Sequence, residues 1–144
     1  LIAMETGIKV GDCMKTSLVT ILDSMSVVEA ARKMAETGVG SLLVTNEKGV
    51  YAIVTERDLV TKVLASGKTN LKVREICTKT LISIPATADL ALAAKVMGEH
   101  NVKRLVATLQ GKIVGLISQK DLISIAPSLY DVIAEKPVAK LKVY

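Results

Sequence analysis

Two short stretches carry the residues best suited to chemistry, Thr55-Glu56-Arg57-Asp58 and Ser118-Gln119-Lys120-Asp121. Each sets a hydroxyl three residues ahead of a carboxylate, where a β-type apolar run gives way to a helical pattern. Two uses of that arrangement stay open. The pair can cap a helix reciprocally, hydroxyl and carboxylate each taking a backbone N–H, with the acid at the positive end of the dipole. The same geometry suits a phosphorylated sugar. Free N–H groups at a helix start favour phosphate, the hydroxyl can donate to a phosphate oxygen, and an ionised Asp, acceptor only, can take both hydroxyls of a ribose. Arg57 and Lys120, beside the acids, add positive charge.

Other chemistries are poorly supplied. Cys13 and Cys77 lie outside any C-x-x-C pattern and read as ordinary thiols, and His100 is the single histidine, so no metal site is expected. No nucleophile–base pair or phosphate-binding glycine loop stands out, so the chain is not expected to be an enzyme. The formal net charge of +5 is uneven, +1 over residues 1–72 and +4 over 73–144. A mild positive field suits a phosphate-bearing ligand. With three tyrosines and no Trp or Phe, stacking platforms for single strands are nearly missing, and nucleic acid is not the expected partner. No apolar run approaches the roughly 18 residues of a membrane span. A cytoplasmic chain without membrane contact is expected.

The elements that must position the two motifs come as a repeat. Offset by 63 residues, positions 10–61 lie over 73–124 without a gap. Identical pairs include Val10/Val73, Leu18/Leu81, Ala30/Ala93, Met34/Met97, Val39/Val102, Thr45/Thr108 and Asp58/Asp121. Each copy reads β-α-β-β-α. A strand is predicted at Leu18–Ile21 and again at Leu81–Ile84. Ser26 and Glu29 form a capping box ahead of a stripe of Val27, Ala30, Ala31, Met34 and Ala35. Asp89 caps the second stripe of Leu90, Ala93, Ala94 and Met97. Gly38 and Asn101 end these helices. Hairpins follow, turning at 46–49 and around Gln110-Gly111. A further helix starts after each motif, and Gly67 closes the first of these. The predicted divisions are a first repeat over 8–65, a linker over 66–72, a second repeat over 73–126 and a tail over 127–144. The tail is read as a short helix at Ser128–Ala134 and a loose basic end. About 55 residues rarely supply a core alone, so the two sheets are expected to pack together with helices outside.

In these features the chain resembles the CBS domain family in its tandem form, the Bateman module, over roughly residues 8–126. The resemblance is carried by Glu29-Ala30-Ala31 with Met34, by Val39-Gly40-Ser41-Leu42-Leu43-Val44, by Ile53-Val54-Thr55-Glu56-Arg57-Asp58, and by their counterparts in the second copy. Three departures stand out, the first being Val106 where Pro is common. Ala52 stands where the family often has Gly, which Gly115 keeps, and Cys77 replaces the Met that Met14 retains. The resemblance implies pseudo-twofold repeats and two clefts, each drawing its Asp from one repeat and its base-binding wall from the other. The first would join Ser118, Lys120 and Asp121 to Met14, Val19, Val39, Gly40 and Leu116, with Arg104 toward phosphate. The second would join Thr55, Arg57 and Asp58 to Ile53, Cys77, Ile82, Val102 and Lys103. There Ser41 takes the place of Arg104, so the Asp121 cleft is expected to bind more tightly. No cofactor is required. The implied ligand is an adenine nucleotide (AMP, ADP or ATP) or S-adenosylmethionine, held for regulation.

A ligand-sensing module of this kind would shift a separate target protein between states by its differential affinity for them. Many such modules pair as homodimers. A ligand-independent dimerisation scaffold is the alternative, and nucleic-acid binding, with its steep salt dependence, is a weaker one.

Overall fold

In the computed structural model, which describes residues 5–134, the chain forms two compact units, Ser17–Leu81 and the remainder. The Ser17–Leu81 unit holds β1 (Thr20–Leu22), α1 (Val27–Thr37), β2 (Ser41–Asn46), β3 (Gly49–Thr55), α2 (Glu56–Asp58) and α3 (Val73–Ile76). The other holds β4 (Ser83–Pro85), α4 (Leu90–His100), β5 (Arg104–Leu109), β6 (Lys112–Ser118), α5 (Gln119–Ile125) and α6 (Tyr130–Ile133). Each unit has one three-stranded sheet, ordered β1-β2-β3 or β4-β5-β6. The class is the expected mixed α/β.

Within each sheet the first two strands run parallel across a helical crossover, and the last two form an antiparallel hairpin. The hairpin register shifts at the same repeat position in both, between Val44 and Thr45 and between Ala107 and Thr108. Such a shift bends the strand pair locally. The alternate residues Leu42, Val44, Ala52 and Val54 in one unit, and Leu105, Ala107 and Ile117 in the other, supply the sheet side of each core. Each fully buried Leu, Val or Ile there contributes about 1.5–3 kcal/mol of transfer free energy.

The helix ends follow the sequence. Ser26 Oγ accepts the Glu29 N–H at 3.1 Å, and Asp89 Oδ1 accepts the Ala91 N–H at 2.8 Å. Gly38 (φ 72°) and Asn101 (φ 51°) turn left-handed after the crossover helices. That conformation suits Gly, and Asn tolerates it better than most residues. Among the described residues, the predicted return bond from the Glu29 side chain is not formed, so Ser26 caps on its own.

The compact units and the sequence repeats divide the chain differently. The lead-in turn Val10–Asp12 of the first repeat hydrogen-bonds to Ala86 and Ala88. Its counterpart α3, from the second repeat, bonds to Asp23 and Met25 in the same pattern. Val10 and Val73, the equivalent anchors, are both fully buried. Each unit is thus completed by the lead-in of the other repeat.

Four further expectations need correction. The strands predicted at Leu18–Ile21 and Leu81–Ile84 run instead over Thr20–Leu22 and Ser83–Pro85. Before them the backbone makes a single described cross-strand bond in each unit, from Leu43 N–H to Val19 O or from Val106 N–H to Ile82 O. Ala31 and Ala35, assigned to the buried stripe of α1, are exposed, and Val27, Ala30 and Met34 alone carry it. The helix after Thr55 is α-helical for one turn and then loosens into π-type turns over Leu59–Leu64. The helix predicted at Ser128–Ala134 is a 3-10 turn, Pro127–Leu129, leading into α6. The basic end from Pro137 to Tyr144 lies outside the described residues. No helix among the described residues is long and apolar enough to cross a membrane.

Candidate functional site

Both hydroxyl–acid motifs sit where the third strand of a sheet enters a helix, as the pattern required. Thr55 ends β3 and Ser118 ends β6, each in extended backbone that serves as the helix N-cap. Thr55 Oγ1 accepts the Asp58 N–H at 3.2 Å, and Ser118 Oγ accepts the Asp121 N–H at 3.1 Å. The acids reciprocate. Asp58 Oδ2 takes the Thr55 N–H at 3.0 Å, and Asp121 Oδ2 takes the Ser118 N–H at 3.2 Å. The first helical N–H of each turn goes to a carbonyl at the head of the second strand, Glu56 to Gly40 O at 3.0 Å and Gln119 to Lys103 O at 2.7 Å. The capping use of the motif is therefore realised in both copies.

Beyond the caps the two acids differ. Asp58 is buried, its side chain 8% exposed. Its Oδ2 also takes the Thr55 hydroxyl at 3.2 Å. Its Oδ1 takes the Thr78 hydroxyl at 3.4 Å and the Lys62 ammonium at 2.9 Å. An ionised carboxylate offers about four lone-pair positions, and four donors address this one. The Asp121 side chain is 20% exposed, and past the cap bond its only described neighbour of opposite charge is Lys15 Nζ, 3.8 Å from Oδ1. That lysine is itself largely in water. Among the described residues the Ser118 hydroxyl accepts one bond and donates none, so its proton is free for a ligand. The Thr55 proton is already spent on Asp58.

The remaining predicted residues divide between the units. With Asp121 stand Met14, Arg104, Leu116, Ser118 and Lys120, together with Ile82, Val102 and Lys103, which were expected around Asp58. With Asp58 stand Ile53, Thr55, Arg57 and Cys77, together with Val19, Val39 and Gly40, which were expected around Asp121. Arg104 lies opposite Ser118 in the hairpin register and belongs to none of the described ion pairs, and Ser41 takes the same place opposite Thr55. Met14, Ile82 and Val102 are half-buried against one core, and Val19 and Val39 against the other. Arg57, Lys103 and Lys120 are exposed.

Met14 and Gly115 are built for each other. A Cβ at Gly115 would fall on Met14 Sδ and 2.7 Å from its Cγ. At the equivalent positions stand Ala52 and Cys77, both within the buried cluster of the other unit. Two departures from the family pattern thus fall in one cluster, a smaller sulfur residue at the equivalent of Met14 and a larger residue at the equivalent of Gly115. Burial first raises the Cys77 thiol above its ordinary range, against the lowering pull of Tyr51 and Lys79. Burial, then Asp12 and Asp121, raise Cys13.

Sequence reasoning missed Lys62, Thr78 and Lys15. Lys62 was signalled by its place four residues after Asp58, the spacing of a helical ion pair, and by Ile125 at its repeat equivalent. Also unforeseen is a shallow polar depression of about 710 Å³ in the Ser17–Leu81 unit, lined by Asp23, Asn46, Tyr51, Lys72, Arg74, Glu75 and Lys79. There Tyr51 donates to Asp23 Oδ2 at 2.8 Å. Burial, and then that carboxylate, push its phenol up to about 12. No group of three or more metal-ligating side chains is found among the described residues.

Comparison with known proteins bears on the family of the chain. The CBS domain family model matches twice, over residues 10–65 and 73–128. The uncharacterized protein MK0525 of Methanopyrus kandleri is 32% identical over 134 residues, 90% of this chain and 68% of that relative's length. A crystal structure of an uncharacterized conserved protein from Pyrococcus horikoshii superposes with a TM-score of 0.78 at 28% identity, covering 96% of this chain and 100% of the other. The CBS domain pair of protein MJ0100, in complex with 5-methylthioadenosine and S-adenosyl-L-methionine, shares the fold at a TM-score of 0.72 and 22% identity, over 82% of this chain and 98% of that one.

Proposed function

Because the chain belongs to the CBS domain family, carrying its repeat twice, we propose that it is a regulatory module that binds an adenosyl ligand at the Ser118–Asp121 turn. One observation carries the reading. Asp121 keeps acceptor positions open beside a hydroxyl whose proton is uncommitted, on a turn whose backbone the cap already holds rigid. A ribose brings two hydroxyl donors, and an ionised carboxylate with open lone pairs accepts them without desolvating an unpaired group. Ser118 donates to the ligand. Arg104, one strand across, and Lys120 and Lys15 at the turn supply positive charge for a phosphate, or for the carboxylate of S-adenosylmethionine. The adenosyl ligands of protein MJ0100 support the ligand class. A homodimer acting on a separate protein target in the cytoplasm belongs to the same proposal and rests on family resemblance alone.

Calorimetric titration of the full chain with AMP, ADP, ATP and S-adenosylmethionine tests the reading. At least one should bind, and Asp121→Asn should weaken it by roughly ten- to a hundredfold, the worth of a charge-assisted hydrogen bond. If none binds at millimolar concentration, the reading fails.

A further inference from the structure

The two copies of the motif are not equivalent, and the difference lies in one side chain. Lys62 extends from the π-type turns after α2 and places its ammonium 2.9 Å from Asp58 Oδ1 and 2.9 Å from the Ile76 carbonyl at the end of α3. Thr78 adds its hydroxyl to the same Oδ1, and Thr55 fills Oδ2 with its N–H and hydroxyl. A sugar hydroxyl reaching Asp58 would have to displace one of these four donors, and the strongest is a cation held from two sides. The second copy has no such group. Ile125, 43% exposed, stands where Lys62 would be, and Lys15, at the equivalent of Thr78, stays 3.8 Å from its acid.

We infer that Lys62 is a built-in occupant of the Asp58 site, so the chain offers one competent adenosyl site, at Asp121, rather than two. This deepens the proposed function and rests on it. The ammonium does for Asp58 what ligand hydroxyls would do for Asp121, satisfying a carboxylate that burial forbids to stand alone. Because Lys62 is tied to Asp58 through a single helical turn, it is present at full effective concentration whatever the ligand level.

The test is the stoichiometry of AMP bound to the full chain, by calorimetry, in wild type, Lys62→Met and Lys62→Gln. Wild type should bind one AMP per chain, and Asp121→Asn should weaken that binding by roughly ten- to a hundredfold. Lys62→Met should bind two, and Lys62→Met with Asp121→Asn should bind one. Lys62→Gln keeps a donor for Asp58 should the methionine variant fail to fold, and should also bind a second AMP, more weakly. Two AMP per wild-type chain would overturn the inference and leave the Asp121 site standing, as would a single AMP in both folded Lys62 variants. One AMP in Lys62→Met and none in wild type would uphold Lys62 as occupant and overturn the Asp121 site. AMP bound by none of these proteins, with the same result for ADP, ATP and S-adenosylmethionine, would overturn both.

Discussion

Replacing Gly115 with alanine should cost stability, and replacing Met14 in the same chain should return part of it. The added Cβ would fall on Met14 Sδ, 2.7 Å from Met14 Cγ and 3.0 Å from the Lys15 carbonyl oxygen. The thioether is the flexible end of a long side chain and can swing aside. The carbonyl is held, because Lys15 and Leu116 exchange both backbone bonds at 2.9 Å. Overpacking of this kind costs about 1–3 kcal/mol, and the fixed carbonyl argues for about 2. For a chain of this size that lowers Tm by roughly 6 °C. Met14→Cys alone leaves a void and costs about 1–2 kcal/mol. The double variant recreates the pair that the other unit already uses, Ala52 with Cys77. It should therefore be more stable than the sum of the single losses predicts, by about 1 kcal/mol or more. Denaturant unfolding of the four proteins at one concentration measures this coupling. Strict additivity, or a neutral Gly115→Ala, would refute the argument.

Two further outcomes follow from the groups around the lead-in segments. Asp89 accepts from Ala91, from Gly7 and twice from Thr6, at 2.8–3.0 Å; Asp89→Asn should cost about 1–2 kcal/mol. Burial opposes its charged form, but these bonds outweigh it and hold the carboxyl below its ordinary 3.8. Its contribution is therefore complete above about pH 4 and is lost as pH falls through the lower folded value. The gap in Tm between wild type and Asp89→Asn should close on acidification, and a gap that persists in acid would refute this. Cys13 is half-buried and Cys77 buried, with both thiols raised. Alkylation at neutral pH, followed by peptide mass analysis, should be slow at both and faster at Cys13. Equal rates in the folded protein would contradict the burial.

Most of the fold was legible because local rules and the repeat agreed. The hairpin turns, the Asn that stands in for Gly at the end of α4, and the caps at Ser26 and Asp89 each follow from residue type at a fixed place. Where the reading slipped, tertiary surroundings decided. Ala31 and Ala94 are the same residue at the same repeat position, yet only Ala94 is buried. α4 is covered by α6, whose Ile133 lies against Gly98 so closely that a Cβ there would come within 3.1 Å of its carbonyl. The first repeat leads instead into the segment 66–72, and alanine, small and indifferent to exposure, gives no sign of which case applies. The start of each first strand was misplaced for a related reason. Leu18-Val19 and Leu81-Ile82 have strand composition, but pairing depends on a partner that the segment itself does not reveal.

The site divides along the same line. That Asp58 and Asp121 cap helices beside a hydroxyl is a matter of a three-residue spacing, and it was readable. Whether either carboxylate has capacity left for a ligand depends on which donors surround it, and those arrive from separate places: a turn further along the helix, and the lead-in that the other repeat supplies. Lys62 and Thr78 reach Asp58, and Ile125 and Lys15 leave Asp121 largely open. The motif alone ranks the two sites as equals. The Ser41/Arg104 difference favours Asp121 by adding a cation for the ligand, and the Lys62/Ile125 difference favours it by removing a cation from its acid. These two substitutions lie on different elements and act on different atoms, yet they point the same way. That agreement is the physical reason to expect adenosyl binding at Asp121 first.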